Sequence, residues 1–339
     1  MASRTVKVIL DADVSGLSAK MRAAAGSVRE FAANSDKYLK DNAQSIATVS
    51  SGLLKIGTVG LAAVGLAVKK FADFDSAMSS VQAATMESAD NMELLRAAAI
   101  SAGADTQYSA TEAAGAIEAL AKAGVSTADI LNGGLAGALD LAASGQIDVA
   151  QAAEIAATSM NQFGLKGSDM THIADLLAAG ADKAMGEVTD MAQAFKYVGP
   201  VASQMGISIE ETAGSIAYLA QQGVLGDQAG TSLRGMLSSL TSPSKIASDT
   251  MEELGINVYD ASGKFVGFRG VAEQLKTSMS GLTNSERDQA LGRIFGNEQI
   301  TTARILYQGG AAAIDEWTNA VDDSGFAAEQ AAARTNNLK

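Results

Sequence analysis

Two prolines in 339 residues, Pro200 and Pro243, set against 66 alanines, leave this chain little to become except helix. Alanine is the best helix former, and proline is the residue that most reliably stops one. The 34 glycines must then do most of the work of ending and bending helices. Alanine also sets the kind of core available. Hydrophobic residues make up 47% of the chain, and removing the alanines (66 of 339, about 19%) leaves about 28% large apolar residues, with aromatics at 5%. The core is therefore thin and built from small side chains. A β-sandwich, a collagen and a disordered acidic chain are excluded as the main architecture.

The chain contains no cysteine and one histidine, His172. Disulfides, thiolate metal sites and a cysteine nucleophile are excluded, and so are clusters of histidine around a metal. A Ser-His-Asp arrangement has a single possible base. The formal net charge of −13 is unevenly placed: residues 1–70 hold ten Lys/Arg against five Asp/Glu, and residues 71–339 hold 15 against 33. A basic arm thus precedes an acidic body. Such a body repels nucleic acid, because duplex binding requires phosphates neutralised by Lys and Arg. No specific nucleic-acid binding is expected.

The arm, residues 1–41, opens with an alternating run, Thr5–Leu10, that predicts one short strand. Val14, Leu17, Met21, Val28 and Phe31 then recur at helical spacing. No secretory leader pattern is present. A Gly/Ala-rich apolar stretch follows at 42–70, with Lys55 its one charge before Lys69 and Lys70. Its longest uncharged run, Ile56–Val68, has 13 residues, fewer than the roughly 20 a bilayer span needs. Close packing against another helix is the first reading of 42–70. Membrane contact, with Lys55 snorkelling, is the second.

Residues 71–339 read as a modular helical body with an internal repeat. Ser109–Val125 (SATEAAGAIEALAKAGV) aligns without gaps onto Ser208–Val224 (SIEETAGSIAYLAQQGV), with nine of 17 positions identical. Each copy has the parts of one capped helix. Ser109 and Ser208 are placed as N-caps, with Glu112 and Glu211 in the first turn, where the helix dipole favours a carboxylate. Gly124 and Gly223 are placed where a left-handed residue ends the helix. A weaker echo joins Asp148–Leu165 to Asp190–Ile207. The expected fold is mainly α, an irregular array of Ala/Gly-rich helical hairpins. Ile256–Phe268 (INVYDASGKFVGF) alternates on both sides of Asp260–Gly263 and predicts a small β-hairpin. Asn284 or Ser285 can cap a helix running towards Phe295, and Thr301–Ala320 reads as another helix. Lys339 falls within a helical pattern, as if the chain continued into a longer one.

Motifs that carry chemistry are missing: no phosphate-binding glycine loop, no H-E-x-x-H and no EF-hand loop. His172 and Asp175, three apart on a predicted helix, have the spacing to orient an imidazole, but a lone histidine on an Ala-rich helix is far more often a capping or surface residue. Glu112, Glu118, Asp129, Asp140 and Asp148 recur every 6–11 residues, as a solvated acidic face does. Met160, Met170, Met185, Met191 and Met205 fit adaptable packing in a core or an interface. No catalytic, cofactor-binding or metal-binding residue is assigned, and the chain is not expected to be an enzyme.

Five stretches, in order, resemble the conserved N-terminal region of tape measure proteins from long-tailed bacteriophages and prophages. They are TVKVILDADVSGLSAKMRAA (Thr5–Ala24), FADFDSAMSSVQA (Phe71–Ala83), TQYSATEAAGAIEALAKAG (Thr106–Gly124), AGTSLRGMLSSLTSP (Ala229–Pro243) and LGINVYDASGKF (Leu254–Phe265). The third is the most specific. The resemblance implies a structural component of a viral tail that organises tube assembly and length and occupies the lumen until genome ejection. The partners it implies are further copies of itself (three or six), the tail tube protein, tail-tip or hub proteins and tail assembly chaperones. Residence in the virion tail follows, after assembly in the host cytoplasm. Host membrane contact at ejection is a further expectation for 42–70. The family's members are usually much longer than 339 residues, so the ruler itself lies elsewhere. Two rival readings stand beside this one: a membrane-active, pore or holin-like protein built on 42–70, and a cell-wall hydrolase module.

Overall fold

The computed structural model describes residues 59–335. The chain divides into two compact units, 1–71 and 72–339, and of the first only Val59–Phe71 is described. The expected Thr5–Leu10 strand, the amphipathic helix Val14–Phe31 and residues 42–58 of the apolar stretch lie outside the described residues.

The described residues are mainly helical. Helices α1 (Val59–Thr85), α2 (Ala89–Asp105) and α3 (Ala110–Lys122) come first. A short π-type passage, Ile130–Gly134, is broken at Asn132 and Gly133 and leads into α4 (Leu135–Gly145). Then follow α5 (Val149–Phe163), α6 (Met170–Lys183), α7 (Val188–Gln204), α8 (Ile209–Gln221) and α9 (Gly226–Thr241). The last four are α10 (Lys245–Glu253), α11 (Gly267–Ser278), α12 (Asn284–Val321) and α13 (Phe326–Thr335).

The centre of the body is α6, which packs against α4, α5, α7, α8, α12 and α13. Its sequence explains why. From Ile173 to Ala181 every residue is buried, so the helix is apolar nearly all round, as a helix surrounded by others must be. The small side chains let neighbours come close. Gly214 of α8 lies against the backbone of Thr318 in α12, where a Cβ would sit 2.6 Å from Thr318 N.

The repeat folds as two capped helices. In α3, Ser109 Oγ accepts from Glu112 N–H (3.2 Å), and Glu112 Oε2 accepts from Ser109 N–H (2.7 Å), a complete capping box. Gly124 takes φ +87°, and the exit is closed by Val125 N–H to Leu120 O and Gly124 N–H to Ala121 O (3.0 Å each). The exit of α8 repeats this at Gly223 (φ +83°), with Val224 N–H to Leu219 O and Gly223 N–H to Ala220 O (2.9 Å each). Both exits thus make the double hydrogen-bond pattern of a Schellman stop.

Two expectations need correction. No strand occurs among the described residues, and 256–268 does not form a β-hairpin. One antiparallel bridge, Tyr259 to Phe265, is all the pairing it makes. Asp260 Oδ1 closes the loop by accepting from Ser262 N–H (2.8 Å) and Lys264 N–H (3.0 Å). Beyond the bridge, the Gln274 side chain takes the place of a partner strand. Its Oε1 accepts from Asn257 N–H and its Nε2 donates to Asn257 O, both at 2.6 Å. Gly267 (φ +74°) then turns the chain into α11. The cap of α12 is Thr283, boxed with Glu286, rather than Asn284 or Ser285. As expected, the stretch running to Phe295 and the one from Thr301 are separated by a break in the helix, at Gly296 (φ +76°), and a second break falls at Gly310 (φ +66°) within α12.

Candidate functional site

His172 and Asp175 lie on α6, as their spacing predicts, but they do not face one another as a dyad. His172 Nε2 meets Glu210 Oε1 of α8 at 2.9 Å, and its Nδ1 lies 3.8 Å from Asp322 Oδ1 at the end of α12. The hydrogen bond to Glu210 pushes the imidazole pKa up against the opposing effect of burial, and the charges of Glu210, Asp322 and Asp175 add to the rise. The same bond lowers Glu210 to about 2. This is an ion pair joining two helices and the end of a third.

Asp175 is buried and works across the fold. Its Oδ2 accepts from Gly325 N–H (2.8 Å) and its Oδ1 from Ala327 N–H (2.9 Å), so it caps α13 from 150 residues away in sequence. Its charge, after burial, raises the pKa of Asp140 on α4. Two turns further along α6, Lys183 Nζ donates to Ala320 O (2.7 Å) and Asp323 Oδ2 (2.5 Å) and sits 5.0 Å over the Phe326 ring.

The other acidic candidates are local. Glu112 closes its own helix, Asp129 accepts from Ser126 Oγ–H (2.7 Å), Glu118 pairs with Lys122 (2.6 Å), and Asp148 accepts from Ala150 N–H (2.9 Å) as the cap of α5. Glu211 departs from its counterpart Glu112. It accepts from Arg269 N–H (2.8 Å) at the start of α11, and burial, the largest influence on it, raises its pKa. Sequence reasoning placed Glu211 in the first turn of its own helix and missed its bond to Arg269, and it missed Gln274 altogether, since the partners lie 58 and 17 residues away. Of the methionines, Met160, Met170 and Met191 are buried, whereas Met185 is 82% exposed and at φ +57°.

Among the described residues no group of three or more His, Asp or Glu could hold a metal ion. No helix there is long and apolar enough to cross a membrane. A groove of about 410 Å³ runs between α5 and α7, lined by Gln151, Ile155, Gln162, Gln193 and Lys196, and it contains none of the residues singled out above.

The fold and its polar contacts define an acidic, alanine-rich helical scaffold whose ionisable side chains join helix to helix. Residues 96–296 match the family described as phage-related minor tail protein, and the chain belongs to that family. It is 37% identical to the tape measure protein of Pneumococcus phage Dp-1 over 96% of this chain and 28% of the relative. To the probable tape measure protein of Escherichia phage P2 it is 29% identical, over 80% of this chain and 33% of that protein. The chain therefore spans about a third or less of the length of these curated relatives. No solved structure matches.

Proposed function

We propose that this chain is a folded segment of a tail tape measure protein, a structural part of the virion tail that organises tube assembly rather than measuring length itself. The likeness to two tape measure proteins over most of this chain carries the reading. The kinked α12, 38 residues long, would reach only about 57 Å even if straight. The repeated, separately capped helices α3 and α8 form modules of an irregular helical-hairpin array, as a docking head requires. The partners of such a head are further copies of itself (three or six), the tube protein, tip or hub proteins and assembly chaperones. Contact of 42–70 with a host membrane at ejection belongs to the same proposal.

An in-frame deletion separates a head from a ruler. Removing Ser109–Val224 deletes 116 residues, which as pure helical length shortens the tail by about 170 Å. Electron micrographs of the mutant lysate are expected to show absent or non-infectious tails. A uniform population of shorter, infectious tails refutes the docking role.

A further inference from the structure

His172, Asp175, Ala179 and Lys183 fall at steps of three, four and four, on one face of α6. The three ionisable members all reach the same place, the corner where α12 ends and α13 begins. His172 faces Asp322, Asp175 holds the amides of Gly325 and Ala327, and Lys183 holds Ala320 O, Asp323 and the Phe326 ring. Little apolar burial accompanies these contacts. From Phe326 to Arg334, Ala327 is the one residue that is fully buried. A buried alanine contributes far less transfer free energy than a leucine or phenylalanine. By contrast α6, beneath the corner, is buried from Ile173 to Ala181. The two sides of this contact are thus held in different ways, one by an apolar core and the other by a row of charge-assisted bonds.

From this asymmetry we propose that residues 322–334, just beyond the buried Val321 that ends α12, form a strap that opens as a unit while the rest of the body keeps its fold. Opening breaks the Asp175 cap and the Lys183 contacts with Asp323 and Phe326 together, because both grip the same short turn. It uncovers the faces of α4 and α6 on which α13 packs. The energetic reason is that elements with few buried apolar contacts open locally, below the free energy of global unfolding. This goes beyond the tail reading above and does not depend on it.

The chain lacks cysteine, so a single introduced thiol reports on a single place. Ala327→Cys puts it under the strap. Ser215→Cys puts it in α8, where the buried Ser215 Oγ has no hydrogen-bond partner and the exchange is nearly isosteric. With a soluble thiol reagent, the Ala327→Cys chain is expected to react at least about 100-fold faster than the Ser215→Cys chain. Adding Asp175→Asn is expected to speed the first at least about tenfold and leave the second within about twofold. Equal rates for the two positions overturn the proposal, as does an Asp175→Asn effect that is absent or the same at both. Hydrogen exchange on the unsubstituted chain guards against a packing artefact. Amides of 325–334 should exchange well before those of α6, and exchange in step overturns the proposal.

Discussion

Glycine occupies equivalent places in the two repeat copies, at Gly115 and Gly214, yet the two are constrained by different things. A Cβ at Gly115 meets nothing within 4 Å, whereas at Gly214 it meets Thr318 N and Cα at 2.6 Å. The first is therefore replaceable and the second is not. Gly115→Ala should stabilise the protein by about 0.5–1 kcal/mol, since a mid-helix glycine costs about that relative to alanine. Gly214→Ala must push α8 away from α12 and should destabilise by about 1–3 kcal/mol, the usual range for overpacking. Chemical denaturation of the two single variants checks both signs, and equal effects would mean that the helix contact at Gly214 is soft.

At the scale of elements, α11 is held at one end and does the holding along its length. Glu211 caps its N-terminus through Arg269 N–H. Gln274 serves Asn257 on one side, while Glu273 Oε2 accepts from Ala311 N–H (3.2 Å) and Lys276 Nζ donates to Gly309 O (3.1 Å) at the second kink of α12. Backbone groups that a kink or a lone bridge leaves unpaired are thus satisfied by side chains of one helix. Gln274→Leu strips Asn257 of both partners. Asn257 is exposed, so water takes over its backbone groups and the cost should stay at about 0.5–1.5 kcal/mol. Faster hydrogen exchange at 256–266, with α5 and α7 unchanged, is the expected signature.

For the whole molecule, the His172–Glu210 pair ties stability to pH in a definite direction. His172 has a folded pKa above its ordinary 6.5, so its contribution is full below about 6.5 and is lost as pH rises through the raised value. Glu210, lowered from 4.5 to about 2, contributes fully above about 4.5 and loses this as pH falls towards 2. Both contributions overlap between pH 4.5 and 6.5. His172→Gln should therefore lower the thermal midpoint most in that window and least once the pH has risen past the raised His172 value or fallen to about 2. The pair is about a third exposed and solvent screens it, so the largest shift should stay near 2 °C. A pH-independent difference would show that His172 acts by packing alone.

What the sequence determined by itself is whatever closes within a few residues. Ser109 with Glu112, and the glycines at 124 and 223, specify helix starts and stops because a cap and the groups it satisfies lie within one turn. Composition set the class in the same way, since propensity is a property of single residues. The tertiary structure decided the rest, and always where a polar group's partner is remote. His172 met Glu210, 38 residues on, and not Asp175. Asp175 was drawn to amides 150 residues on. The alternating 256–268 segment, legible as a hairpin, makes a single bridge, and Gln274 and Asp260 hold the backbone groups of Asn257, Ser262 and Lys264. Period-two alternation signals which residues can be buried, but pairing needs a strand with free hydrogen-bonding groups. Only the folded chain determines which groups remain free.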